Sequence, residues 1–302
     1  MLRHSKAIVA ALACATFSAG ALAAEGTLEK IKSQGYITIA NRDASIPFSY
    51  YDNNQKPIGY AMDLCAKVVD AVKKKLNMPK LEVKYQLVTS ANRIPLIANG
   101  TADLECGSTT NNTERQQQVA FSYTYFVTGN RWIAKKSAKA KASLQALKGK
   151  TVVSTAGTSN IKEITEVNSK ENLGMNIISA NGHPEAFQMV ETGRAVAFVM
   201  DDILLYSLQA SSRNPKDFEI SKVSLSAQPY GMMMRKNDPA FKKLVNDTIA
   251  KVYKSGEINK IYTKWFEKPI PPKGVDLKVP MSKELKKVVA HPTDSGEAKD
   301  YD

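Results

Sequence analysis

Arg93, the hydroxyl run Ser108, Thr109 and Thr110, and Arg115 fall within one stretch, SANRIPLIANGTADLECGSTTNNTERQQQVAFS, from Ser90 to Ser122. Hydroxyls, free backbone N–H groups and guanidinium forks are the donors that a small carboxylate or phosphate takes up, and the guanidinium binds it bidentately. The surrounding pattern gathers them at one point. A short helix pattern carrying Arg93 stops at Gly100, and an apolar strand run follows from Ala102 to Cys106. The hydroxyls come next, before a helix start that contains Arg115. The carboxyl end of a strand is where open α/β sheets bind ligands.

Other candidates occupy comparable positions. Arg42 stands just past a buried strand pattern, Tyr36 to Ala40. The unit VETGRAVAFVMDD repeats the design of IANGTADLECGS: a helix end, a Gly, Ala, an apolar strand and then polar residues. One unit ends in hydroxyls and the other in the carboxylates Asp201 and Asp202. Adjacent residues on a strand face opposite ways, so these two do not work as a pair; Asp201 is assigned to ligand and Asp202 to a helix cap. Thr155 and Thr158 follow the strand pattern from Thr151 and open a helix, as an anion site or as an ordinary N-cap. His183, beside Pro184, either caps a helix or reaches a ligand. The chain has no Ser/His/Asp order, metal-ligand set or Gly-rich phosphate fingerprint, so neither catalysis nor a cofactor is expected.

The elements that must position these residues alternate strand, helix, strand. Apolar residues at Met62, Cys65, Val69, Val72 and Leu76 predict a helix over Tyr60 to Leu76, and a strand follows from Leu81 to Val88. A second unit has a helix pattern over Ala186 to Thr192, ended by Gly193, and a strand over Ala195 to Met200. Alternation of this kind predicts an α/β fold with largely parallel sheets. Gly231 to Arg235 reads as a strand, and Asp238 to Ser255 and Glu257 to Phe266 as closing helices. Pro269, Pro271 and Pro272 end regular structure. The polar tail from His291 to Asp302 is expected to be disordered.

Met1 to Ala24 has a basic start, an apolar run and a small-residue end, Ala21-Leu22-Ala23, as an export signal has. A signal peptide over 1–23 is expected, leaving 279 of the 302 residues in the exported chain. Losing Arg3 and Lys6 with it lowers the net charge from +13 to +11. The lysines are scattered without interleaved aromatics, so nucleic acid is not an expected partner. Cys65 and Cys106 survive export, either bridged or as two buried thiols. With only His183 and His291 beside them, no metal is expected.

The motifs NRDASIPFSYYD, TSANRIPLIANGTADLECGSTTNNTERQ, SANGHPEAF, GRAVAFVMDD and KWFEKPIPP, in this order, resemble the periplasmic solute-binding proteins of polar amino-acid ABC transporters, most closely their glutamate/aspartate-binding members. The resemblance runs from Leu28 to Pro272. It implies a type II periplasmic-binding-protein fold, two α/β lobes joined by two crossover strands with the ligand cleft between them. Lobe 1 would comprise 25–128 plus 229–272, lobe 2 would comprise 129–228, and 273–302 would be a C-terminal extension. Crossovers would fall near Val127 to Trp132 and Ser226 to Met232. Carried over by residue, Arg115 with Ser108 and Thr110 resembles the clamp for an α-carboxylate, and Asp201 the acceptor for an α-ammonium. Arg42, Ser90, Arg93 and His183 resemble the set around a side-chain carboxylate, and Thr155 and Thr158 supply second-lobe contacts. The function implied is a non-enzymatic, monomeric periplasmic receptor that delivers L-glutamate or L-aspartate to an inner-membrane ABC permease. The alternative is a dehydratase-like periplasmic enzyme on the same fold acting on a small carboxylic acid.

Overall fold

A computed structural model describes residues 25–301; the signal peptide expected over 1–23 lies outside the described residues. Two larger sheets carry the fold. The first runs, edge to edge, through Glu82–Leu87, Tyr36–Asn41, Leu104–Glu105, Met233–Arg235 and Val119–Phe121. Its first three strands are parallel, and Met233–Arg235 is antiparallel to both neighbours. The second runs through Asn176–Ala180, Thr151–Thr155, Ala197–Asp201, Phe126–Lys135 and Phe218–Ile220, the first three again parallel. Parallel neighbours need a crossover connection, and the helices Tyr60–Leu76, Ser159–Lys170 and His183–Glu191 supply it.

The chain leaves the first sheet after Phe121, enters the second through the long strand Phe126–Lys135, and returns through Ala227–Tyr230. These last two strands pair antiparallel from Phe126 opposite Tyr230 to Gly129 opposite Ala227. Two lobes thus share only two strands of connection. The first lobe is closed by helices from the far end of the chain, Pro239–Lys254 and Glu257–Phe266.

Local chemistry explains the element ends. Asn77 (φ 55°) terminates the helix Tyr60–Leu76 in the left-handed region that Asn tolerates. Asp238 caps the helix Pro239–Lys254 by accepting the Phe241 N–H at 3.0 Å. The helix Tyr60–Leu76 buries Met62, Leu64, Cys65, Val68, Val69 and Val72, and Cys65 is bonded to Cys106 across a Cα–Cα distance of 6.1 Å. That link ties the helix to the chain two residues before Ser108. Behind the cleft, Phe48 stacks edge-on against Tyr60, Phe126, Tyr230 and Phe266, with ring centroids 4.9–6.1 Å apart. Edge-to-face pairs of this kind add stability beyond their buried area.

The tail corrects the expectation of disorder. Past the prolines the chain forms a further helix, Lys283–Ala290, and a single 3-10 turn, Ala298–Tyr301. Tyr301 is only 2% exposed and packs with Val127 and Val288. Its hydroxyl shares a 2.8 Å hydrogen bond with Thr124 and donates to the Ser295 carbonyl. Asn111 Nδ2 donates to the carbonyls of Asp294 and Ser295, and Thr124 N–H to that of Thr293. Composition underestimated this segment because backbone carbonyls and one aromatic ring, rather than an apolar run, hold it down. Deleting residues 291–302 should therefore lower the Tm by several degrees, at about 2–4 °C per kcal/mol lost in a chain of this size. An unchanged melting curve would show the packing to be inconsequential.

Candidate functional site

Three arginines of the first lobe converge on the cleft. Arg42 follows the strand Tyr36–Asn41; its main-chain N–H donates to Ser49 Oγ at 2.9 Å, and its Nη2 donates to Ser90 Oγ at 3.0 Å. Arg93 is the first residue of the helix Arg93–Ala98. That helix starts from a reciprocal turn in which Thr89 N–H donates to Asn92 Oδ1 and Asn92 N–H to Thr89 Oγ1. Arg115 opens a 3-10 turn, its N–H held by Asn112 Oδ1; Nη1 donates to the Thr110 carbonyl at 2.8 Å. The three are 3%, 2% and 6% exposed, so none is a surface ion-pair partner. Arg42 Nε and Nη1, Arg93 Nε and Ser108 Oγ have no hydrogen-bond partner among the described residues. Buried donors left in this state are costly unless a ligand completes them.

The second lobe brings the opposite charge. Asp201 ends the strand Ala197–Asp201; its Oδ1 accepts from Asn160 Nδ2 at 2.8 Å and its Oδ2 from the Tyr230 hydroxyl at 2.5 Å. His183 begins the helix His183–Glu191, and its Nδ1 shares a 2.9 Å hydrogen bond with Thr155 Oγ1. Its Nε2 has no partner among the described residues; when Thr155 donates to Nδ1, Nε2–H is left as a donor. Thr158 caps the helix Ser159–Lys170 by accepting from Ile161 N–H, and donates to the Thr155 carbonyl. It fills the ordinary cap role while still lining the cleft.

Electrostatics follow from burial. Desolvation first, and then the neighbouring Arg93, lowers Arg42 to about 10 and Arg115 to about 9. Desolvation likewise lowers Arg93. All three remain cationic at neutral pH. His183 is pushed well below its ordinary value by burial and then by Arg42 and Arg93, so it is neutral. Burial raises Asp201 to about 6, against the Tyr230 and Asn160 hydrogen bonds that favour its charged form.

One small cavity is lined by Ser90, Arg93, Ser108, Thr110, Thr158, His183 and Asp201 together, joined by Ser159 and Asn160. Arg42, Arg115 and Thr155 back it through Ser90, Thr110 and His183. A larger cavity of about 810 Å³ opens on the far side of His183 and touches none of the three arginines. Asp202 corrects its assignment as a cap. It is the first helical residue after the N-cap Asp201, and its carboxylate accepts from Thr128 Oγ1 at 2.5 Å and Arg131 Nε at 3.0 Å. The reason is tertiary: Thr128 and Arg131 of the long crossover strand take up its carboxylate. The sequence reading missed Asn160, Tyr230 and Glu105. A carboxylate inside the apolar run Ala102 to Cys106 was a signal; Tyr230 and Asn160 carried none, since their role depends on long-range folding.

The chain between residues 37 and 268 matches the model of the bacterial extracellular solute-binding proteins, family 3. This protein belongs to that family. An L-glutamate/L-aspartate-binding protein of Pseudomonas aeruginosa is 56% identical over 291 residues, covering 96% of this chain and 95% of the relative. A glutamate/aspartate import solute-binding protein of Escherichia coli is 49% identical, covering 90% of each. Among solved structures, a mutant of ArgBP from T. maritima superposes with a TM-score of 0.69 at 28% identity, covering 79% of this chain and 98% of that one. Among the described residues, no helix is long and apolar enough to cross a membrane.

In this solute-binding protein the lobes are closed upon one another. Arg115 Nη2 donates to the Gly157 carbonyl at 3.2 Å, Ser159 Oγ to Thr110 Oγ1 at 3.3 Å, and Lys162 pairs with Glu114. Gly157 brings the two backbones close together. A Cβ there would stand 2.5 Å from Ala91 Cα and 2.7 Å from the Ser90 carbonyl, and its φ is +73°. Gly157→Ala should weaken ligand binding at least about tenfold while costing only about 1 kcal/mol of ligand-free stability from the backbone conformation. Calorimetric titration beside thermal melting checks this, and undiminished affinity would refute the close approach.

Asp201 gives a pH signature. Its folded-state value is raised, so the stability it contributes is fully present below about 3.8 and is lost as pH rises through about 6. With the lobes closed, the unfolding free energy of the wild type relative to Asp201→Asn should fall by on the order of 3 kcal/mol between pH 3.5 and 7. Denaturant titrations at the two pH values measure it, and a constant difference would sink the assignment.

Proposed function

We propose that this protein is a receptor that captures L-glutamate or L-aspartate in the periplasm and, as a monomer, delivers it to an inner-membrane ABC permease. One observation carries the reading: three buried guanidiniums stand on one side of the cleft, with the buried carboxylate of Asp201 opposite. An acidic amino acid has two carboxylates and one ammonium to match. Arg115, Ser108 and Thr110 take the α-carboxylate, and Asp201 takes the α-ammonium. Arg42, Ser90, Arg93 and neutral His183 surround the side-chain carboxylate, with Thr155 orienting His183 and Thr158 lining the second lobe. The names of the two relatives, each a glutamate/aspartate-binding or import protein, support this ligand class and favour a receptor over a dehydratase-like enzyme.

The mechanism follows from where the donors sit. The first lobe supplies the arginines, so the ligand docks there first. Asp201, His183 and Thr158 lie on the second lobe, and their contacts are made only when the lobes meet. Ligand therefore favours the closed state through its differential affinity for it. Closure is the shape the permease reads. Burying the ligand's charges is tolerable because each meets an opposite charge or an unpartnered donor.

A thermal-shift panel of amino acids on ligand-free protein tests the ligand class, since a ligand that binds only the folded state raises its Tm. L-glutamate and L-aspartate should give the largest shifts; no shift with either defeats the proposal. Arg115→Ala should cost about 3 kcal/mol or more of binding, leaving a carboxylate buried without its partner. Arg93→Ala should reduce glutamate affinity far more than glutamine affinity. Equal losses for the two would remove Arg93 from the side-chain subsite.

A further inference from the structure

Beneath the arginines lies a second carboxylate that the ligand contacts do not use. Glu105 ends the short strand Leu104–Glu105 at the centre of the first sheet and is 0% exposed. Neither of its carboxylate oxygens has a hydrogen-bond partner of ordinary geometry among the described residues, and no guanidinium nitrogen comes within 4.0 Å of it. The Thr109 hydroxyl lies near enough to favour its charged form without completing such a bond. Gly107 leaves it room: a Cβ there would meet Glu105 Oε1 at 2.3 Å and Arg42 Cγ at 3.1 Å. The carboxylate and the aliphatic stem of Arg42 thus flank one glycine. Burial raises Glu105 above its ordinary value, while Arg93, then Arg42, pull it back.

Charge balance gives this residue a role. With Glu105 in its charged form, which Arg93 and Arg42 favour, the sealed site holds Arg42, Arg93 and Arg115 against Asp201 and Glu105, with His183 neutral. One positive charge is in excess, and it is cancelled by an amino acid of net charge minus one. A neutral amino acid leaves it uncancelled. Ser90 accepts from the Arg42 guanidinium and the Thr110 carbonyl from that of Arg115, so these two side chains have positioning partners other than Glu105. Resting on the acidic amino-acid reading above, we propose that Glu105 is an internal counter-anion. It steadies the arginine cluster in the ligand-free receptor and restrains affinity for the ligand's side-chain carboxylate, so that bound ligand can be released.

The substitution Glu105→Gln keeps the shape and removes the charge. Its ligand-free Tm should fall by several degrees, because the guanidiniums lose their buried counter-charge. Its L-glutamate Kd should tighten at least about fivefold, the effect that one like charge removed about 4 Å away would have even with the screening of bulk water. The L-glutamine Kd should move less than about threefold, so discrimination between the two rises. Glu105→Asp, which keeps the charge, should retain wild-type discrimination. A purely structural role would weaken both ligands by the same factor, or make Glu105→Asp behave like Glu105→Gln; either result overturns the proposal. If Glu105→Gln folds only with millimolar L-glutamate present, the ligand carboxylate is replacing the lost charge, which supports it. Failure of both variants to fold even with L-glutamate overturns it. Wild-type protein titrated in parallel separates the two readings: absence of glutamate binding there defeats the ligand assignment, not the role of Glu105.

Discussion

Three guanidiniums buried together repel one another, and much of this molecule can be understood as the means of tolerating that repulsion. Desolvation and mutual proximity already lower Arg42 to about 10 and Arg115 to about 9. Such a cluster persists only where carboxylates and oriented carbonyls surround it. Carbonyl oxygens of Thr110 and Gly157 take two N–H groups of Arg115, and Ser90 takes one of Arg42. Asp201 brings negative charge from the second lobe. The remaining donors face inward, where a ligand carboxylate has most to gain.

That requirement explains the two-lobed architecture. A site that must exclude water to make its charges count must also open to admit ligand. Two lobes joined only through Phe126–Lys135 and Ala227–Tyr230 meet both needs. The joint is not a loose linker. Phe126 and Tyr230 belong to the aromatic cluster around Phe48, and the Tyr230 hydroxyl bonds Asp201 across the cleft. One residue therefore serves core, crossover and site, and its phenol is held in the neutral form by burial and by Asp201. The tail adds to the same region through Tyr301, Val288 and Val127.

Most of the architecture was legible because the signals are local. Helical spacing located Tyr60–Leu76 to the residue, and Gly100, Gly193 and Asp238 marked the ends of elements. Strand limits drifted more: the run from Ala102 to Cys106 contains only Leu104–Glu105 as assigned strand. The tail was misjudged because its anchors are carbonyls of other segments, to which composition is blind. Asp202 was misjudged because a carboxylate at a helix start has two uses, and only the neighbouring Thr128 and Arg131 decide between them.

What the sequence by itself determined was the chemistry: arginines, hydroxyls and a carboxylate placed at strand ends, and hence affinity for a small, multiply charged ligand. Residue type and strand or helix period are carried along the chain, within a few positions of each other. Only the tertiary structure decided which groups share one buried space. It set Asp201 against Tyr230 and Asn160, aimed His183 through Thr155, and brought Gly157 within van der Waals reach of Ser90 and Ala91. It also placed Glu105 beneath the arginines. Those relations join residues up to 67 positions apart, and the burial that gives each charge its strength exists only once the lobes have folded and met.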